Sequence, residues 1–379
     1  MTAPAGAALE PPAAQSTVLP TETVRVLPLP VRTATAEPSA FATVLPSHAP
    51  SPFPTALLSA RPELATPPNL ADLIDLRELR LRNGPNRVYS SPTPTPDPRI
   101  PTYPPNTTGD IPVLMYHRIG YPEDTWTRTP ESFRSDLEFL VSHGFYPVNL
   151  IDVVLGRLDQ VPVGRRPVVL TFDDSTAGQF WLRDDGTVDP DCAIGILLEM
   201  HRQYGTDWPL HATFFVITPL DQSGSLLFGQ TTSGPQKVRQ LIEWGMEVGS
   251  HTVHHPNLRV VDSDVVQWEL AVSQHEIEAM VPGYSVTTLA LPEGGTPQDD
   301  TLLARGYSEA AGLGYRYLAA VKVGAGPAPS PLSPDFDAYR IPRIRASQDQ
   351  LDVWFPSMAW SPDRYYVSDG VPRTITGTQ

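Results

Sequence analysis

Cysteine is almost missing from this sequence: Cys192 is the only one in 379 residues, so no intrachain disulfide can form. Such a chain suits an extracellular bacterial protein as well as a cytoplasmic one. No apolar run is long enough to span a bilayer, so no transmembrane helix is expected. The start, MTAPAGAALEPP, has neither the basic residues nor the apolar core of a secretory signal. Positive charge is in deficit: 27 Lys and Arg face 42 Asp and Glu, a net charge of −15. That balance argues against nucleic acid and anionic membranes as partners. Histidine is absent after His275.

Proline is abundant but unevenly placed, with 22 of 44 in residues 1–110. Residues 1–109 are also rich in Ala, Thr and Ser and show no sustained period. They are expected to form a disordered Pro-rich tether, because such a composition cannot bury enough apolar surface to offset chain entropy. One piece within them, Asn69 to Leu81, could form a short helix. A Pro/Thr-rich stalk favours an extracellular or cell-surface location. A mis-assigned start or a missing N-terminal anchor would reconcile that location with the absent signal.

From residue 110 the texture changes, and 110–379 is expected to be one domain. IPVLMYHRI, FYPVNL, RPVVLTF, HATFFVI, MEVGS, VTTLALP, YRYLAAVKVG and AYRIPRI read as strands. Between them, TPESFRSDLEFLVSHG, AIGILLEMHRQYG, PQKVRQLIEWG, DSDVVQWELAVSQHEIEAM, PQDDTLLARG and SQDQLDVWF read as helices. About seven βα units fit, the size of a parallel barrel whose site lies at the C-terminal ends of its strands.

Candidate chemistry sits at those ends. VVLTFDDS closes an apolar strand with Asp173 and Asp174, adjacent carboxylates that are costly unless a cation or proton is shared, although a helix cap is the plainer use. GSHTVHHPNL holds three histidines. On a helical turn His251 and His255 would face one side and could share a metal. His254, one position short, is not excluded by spacing. Two histidines plus one carboxylate with open positions form a catalytic zinc set, and a second carboxylate could deprotonate water. WLRDDGTVDPDCAIGILL reads as an acidic loop near the barrel mouth, and Trp181 and Trp208 could stack on sugar rings.

TFDD followed by H-T-x-x-H-P resembles the polysaccharide deacetylase family (NodB homology, carbohydrate esterase family 4). The resemblance covers roughly 110–355 and includes PVLMYHRI, HATFFV and LIEWGMEVGSHTVHHPNL. It implies an α/β fold, a distorted (β/α)7 barrel, and a divalent-metal-dependent hydrolase that removes acetyl groups from N-acetylated sugars. By position in the motifs, Asp173 matches the base, Asp174 the metal carboxylate, and His251 and His255 the metal histidines. His254 falls on a variable position. The expected metal is Zn2+, with Co2+ or Ni2+ as alternatives.

Two family features depart from pattern. The stretch matching R-x-P-Y/F-G is LALPEGG, with Ala290 near the arginine position and Glu293 in place of an aromatic. It is similar to the extracellular poly-N-acetylglucosamine deacetylase branch. Pro292, Glu293 and Gly294 are then the candidate oxyanion and substrate contacts, since a backbone N–H survives a side-chain change. Arg343, in YRIPRIRA, is the candidate partner of Asp173. The second departure is the missing C-terminal histidine of the general acid. His117, in an L-x-x-H on the first strand, could replace it, because a barrel brings its first and last strands together.

The expected partner is therefore an acetylated polysaccharide: poly-N-acetylglucosamine, peptidoglycan or a chitin-like glycan. A monomer is expected. An O-acetyl esterase on a cell-wall glycan would use the same residues. An inactive carbohydrate-binding relative and a cytoplasmic metal-binding regulator are the readings from other classes.

Overall fold

A computed structural model describes residues 97–218, 227–230, 233–324 and 326–373. The candidate helix at 69–81 and most of the expected tether lie outside them.

The domain is organised around β5 (Arg166–Phe172), a strand buried at every residue. β1 (Val113–Tyr116) pairs in parallel with its second half. β4 (Phe145–Val148) pairs with its first half, also in parallel. Both partners meet Val169, so they occupy opposite edges of β5. β6 (Thr213–Val216) pairs with Thr171 and Phe172 beyond the end of β4. The sheet continues in parallel through β7 (Glu247–Ser250), β8 (Thr288–Ala290) and β11 (Ala319–Val321). It curls back through residues 338–345: Ile341 bridges Val321, and β12 (Ile344–Arg345) pairs with β1. The result is a distorted parallel barrel.

Alternation divides each strand between two cores. Val113, Val169, Phe215, Ala290, Ala319 and Val321 pack together as one cluster. Leu114, Leu170, Phe214, Val248 and Leu289 pack outward beneath the helices. Thr171 and Asp173 follow Val169 at steps of two, so they share its face. Gly249 lies where a Cβ would come within 2.6 Å of Phe215 and 2.7 Å of Thr288, which explains a glycine inside MEVGS.

The helices follow their capping signals. α1 (Pro130–Ser142) opens on Thr129, whose hydroxyl accepts the Ser132 N–H, with Pro130 in its first turn. It buries Phe133, Leu137, Leu140 and Val141, each large apolar side chain contributing about 1.5–3 kcal/mol. α2 (Leu150–Val154) follows β4, and α3 (Ala193–Tyr204) precedes β6. α4 (Gly234–Glu243) leads to β7 and α5 (Ser263–Met280) to β8. α6 (Gln348–Trp360) follows β12. Short strands β2 (Arg118–Ile119) and β3 (Thr127–Arg128) form a side ladder after β1.

Three expectations need correction. PQDDTLLARG is not a helix. It makes a 3-10 turn at Asp300–Leu303, then enters β9 (Arg305–Ser308), which pairs antiparallel with β10 (Leu313–Arg316). Gly306 permits this crossing, since a Cβ there would lie 2.4 Å from the Tyr315 hydroxyl. The predicted strand YRYLAAVKVG is consequently split between β10 and β11. Finally, residues 97–109 are packed rather than free. Ile100 is buried, the Tyr103 N–H donates to the Gly164 carbonyl, and Asn106 bridges Val367. Residues 97–109, expected to belong to the tether, are therefore packed on the folded domain.

Candidate active site and metal centre

Asp173 directly follows β5 and is 1% exposed. Arg343, fully buried, meets it as a fork: Nη1 donates to Oδ1 at 2.7 Å and Nη2 to Oδ2 at 2.6 Å. The arginine is oriented by Thr171 Oγ1 at 3.1 Å and by the Lys322 carbonyl at 2.9 Å. Burial alone would push the Asp173 carboxyl up; the Arg343 charge outweighs it and holds the group well below the usual carboxylate range. Ala290, near the motif arginine position, lies buried at the end of β8. The guanidinium comes instead from the segment that closes the barrel.

Asp174 turns the other way, through a left-handed backbone at φ 74°. Its Oδ1 lies 3.3 Å from His251 Nε2 and 3.7 Å from His255 Nε2. One ligand atom from each of the three residues falls within 4.8 Å of the others. His251 is 2% exposed and its Nδ1–H donates to the Ala290 carbonyl at 2.9 Å. With Nδ1–H committed to that carbonyl, Nε2 is the ring nitrogen left to face Asp174, as in a metal-bound histidine. His255 and Asp174 are about one-third exposed, so the set is open on one side. Two imidazole nitrogens and one carboxylate oxygen suit zinc and neighbouring divalent ions. The donors present therefore fit a divalent cation. Burial disfavours the charged ring of His251, but the Asp174 bond raises its pKa above the ordinary value. His255 is lowered, by burial and then by His251. Burial raises Asp174 as well, but the His251 bond brings it below its ordinary value.

The histidine loop is not the helical turn that i, i+4 spacing suggested. His251 follows the end of β7, and Thr252 and His255 adopt φ 65° and 54°. The Thr252 hydroxyl accepts the His255 N–H at 3.1 Å. Among the described residues six non-glycines have positive φ, and five of them, Asp174, Ser175, Thr252, His255 and Glu293, surround this site. Each costs about 1–3 kcal/mol, a cost that surrounding bonds must offset. His254 points away from the ligand set, with Nδ1 2.7 Å from Glu269 Oε1.

His117 follows β1 and lies beside the same carboxylate, Asp173. Its Nε2 is 3.9 Å from Asp173 Oδ2. The ring packs edge-on to Trp126, centroids 4.7 Å apart, and Gln179 donates to its backbone carbonyl at 2.6 Å. Burial lowers its pKa, and Asp173 offsets part of that. Pro292, Glu293 and Gly294 form a 3-10 turn after β8, with Glu293 at φ 54°. The Gly294 and Gly295 amides donate to the Leu291 and Pro292 carbonyls, so Gly294 is not a spare donor. The Glu293 carboxylate accepts from Asn257 Nδ2 at 2.8 Å.

Residues 160–317 match the family model for polysaccharide deacetylase. The chain carries a polysaccharide deacetylase domain. The deacetylase match includes Asp173, Asp174, His251, His255 and Glu293; His117 and Arg343 lie outside it. Solved structures similar to the chain include a Streptococcus pyogenes deacetylase, PplD, in complex with acetate. It is 23% identical, with 65% of this chain and 98% of that one covered, at a TM-score of 0.48. IcaB from Ammonifex degensii is 19% identical over 67% and 97%, with a TM-score of 0.43. The BpsB deacetylase domain from Bordetella bronchiseptica is 17% identical over 65% and 98%, also at 0.43. Likenesses of this degree carry no statement about substrate.

Several residues around the deacetylase site gave no signal in sequence. Thr171 could have been found, because it shares the strand face of Asp173 two residues on. Gln179, Trp126, Asn257 and Glu269 reach the site only through tertiary packing. Trp208, expected to be exposed, is fully buried, while Trp181 is 37% exposed. Among the described residues no helix is long and apolar enough to cross a membrane.

Proposed function

We propose that this deacetylase removes N-acetyl groups from a poly-N-acetylglucosamine-type glycan, releasing acetate and a free amino sugar. The observation that carries the reading is the Asp173–Arg343 fork standing beside the three-donor set of Asp174, His251 and His255. A divalent cation held by that set, zinc in the first instance, supplies the Lewis acidity that makes an amide cleavable near neutral pH. Asp173 accepts a proton from the attacking water. Its depressed pKa keeps it ionised, and the Arg343 fork fixes the orientation of its carboxylate. The Glu293 N–H, left over when Gly294 and Gly295 bond within the turn, donates to the developing oxyanion. His117, 3.9 Å from Asp173, protonates the departing amine. Burial lowers its pKa, which makes its protonated form a stronger acid toward that amine.

The LALPEGG form of the third motif supports the poly-N-acetylglucosamine branch over other glycans. The Pro/Thr-rich composition ahead of the domain supports action outside the cell or at its surface. The test is incubation with partially acetylated poly-β-1,6-glucosamine, chitin oligomers and acetylated xylan. The reading predicts acetate from the first, with one new primary amine per acetate. Acetate from xylan without new amine would transfer the assignment to an O-acetyl esterase.

A further inference from the structure

His254 sits between two metal-ligand candidates in sequence yet faces a carboxylate on α5. Its Nδ1–H donates to Glu269 Oε1 at 2.7 Å, and its ring stacks on Trp268 with centroids 5.5 Å apart. Glu269 is 3% exposed. Its other oxygen accepts the backbone N–H groups of Val253 at 2.8 Å and His254 at 3.0 Å. One turn further along α5, the Ser273 hydroxyl lies 2.7 Å from that of Ser250, which in turn accepts the Thr252 N–H at 3.1 Å. α5 thus grips the chain immediately before His251 and again between His251 and His255. That interval contains the left-handed Thr252 and leads directly into the left-handed His255.

We propose that Glu269 and His254 form a clamp that fixes the loop in its left-handed course and thereby sets the affinity of the site for a divalent cation. Both are positioning residues; neither touches the reacting atoms. The inference rests on the reading that Asp174, His251 and His255 hold the cation. A free loop would relax its two left-handed residues and carry the His255 ring away from Asp174. The buried carboxylate opposes this by holding the two amides between the ligands and the one side chain between them. Outer bonds of this kind typically govern metal affinity by about 10–100-fold.

The test is titration of the metal-stripped full chain with Zn2+ against a chromophoric chelator, with thermal melting of each metal-free protein alongside. His254→Ala is expected to weaken zinc binding about tenfold and Glu269→Ala about a hundredfold. Glu269→Gln keeps one oxygen for the two amides and is expected to fall between wild type and Glu269→Ala. Adding His254→Ala to Glu269→Ala should cost little more, because the two act as one unit. The metal-free melting temperature of His254→Ala should match wild type, its side chain being 63% exposed. Wild-type affinity in both single variants overturns the clamp while leaving the ligand assignment standing. So does full additivity, or a loss matched by an equal fall in metal-free stability. A wild-type chain that binds no zinc overturns the ligand assignment itself, and the clamp with it.

Discussion

At the residue scale, Asp173 depends on Arg343 for its charge. Two opposed effects act on the carboxyl: burial raises its pKa, and the forked arginine lowers it by more. Removing the arginine leaves burial unopposed. Arg343→Ala is therefore expected to move the acid limb of the kcat/KM profile upward by about one to three pH units. Arg343→Lys, which keeps a charge but loses the fork, should lie between the two. An unmoved limb in a folded Arg343→Ala protein would mean that Asp173 is not the base or that Arg343 is not its partner. The same depressed pKa stabilises the fold above about pH 4, and that contribution is lost as pH falls toward the folded value. How much of this can be read from sequence differs by residue. Asp173 and Asp174 stand out because two carboxylates at the end of an apolar strand are physically awkward. Among Arg340, Arg343 and Arg345 nothing local makes the choice. Arg340 pairs with Asp300 and Asp337, and Arg345 lies over Trp126. Only barrel closure selects Arg343.

At the scale of elements, strand and helix periods marked most of the barrel, because buried parallel strands and capped amphipathic helices carry strong local signals. Three misreadings share one cause, which is tertiary packing overriding local preference. PQDDTLLARG became a turn and a strand against α5. The histidine loop took left-handed backbone that spacing cannot reveal. Residues 97–109, proline-rich as they are, pack on the domain. Arg166 shows what holds that last segment. Its guanidinium lies 4.3 Å from the Tyr103 ring centroid and 4.1 Å from that of Phe145. It also donates to the Met358 carbonyl at 2.8 Å and to the His143 carbonyl. Arg166→Met would leave buried carbonyls without a donor, a loss of about 2–4 kcal/mol. Urea denaturation should show that loss. Acetate release at 25 °C should persist, since Arg166 begins β5 while Asp173 follows its far end. Undiminished stability would mean that the 97–109 segment does not rely on this arginine.

For the molecule as a whole, the barrel makes one site from distant chain. Arg343 and Asp173 are 170 residues apart, and His117 arrives from the first strand. Closure through residues 338–345 places these two, which lie outside the family match, beside Asp173, which lies within it. Sequence could propose this meeting from the cyclic logic of a barrel but not its distances. The proposed chemistry sets Asp173 beside a cation held by Asp174, His251 and His255. Its most direct test is acetate release from partially acetylated poly-β-1,6-glucosamine by the metal-stripped chain, before and after Zn2+ is returned, with Asp173→Asn in parallel. Release should be negligible without metal, restored by zinc in the wild type, and at least about a hundredfold slower in zinc-loaded Asp173→Asn. Full activity in the stripped protein, or in Asp173→Asn, would contradict it.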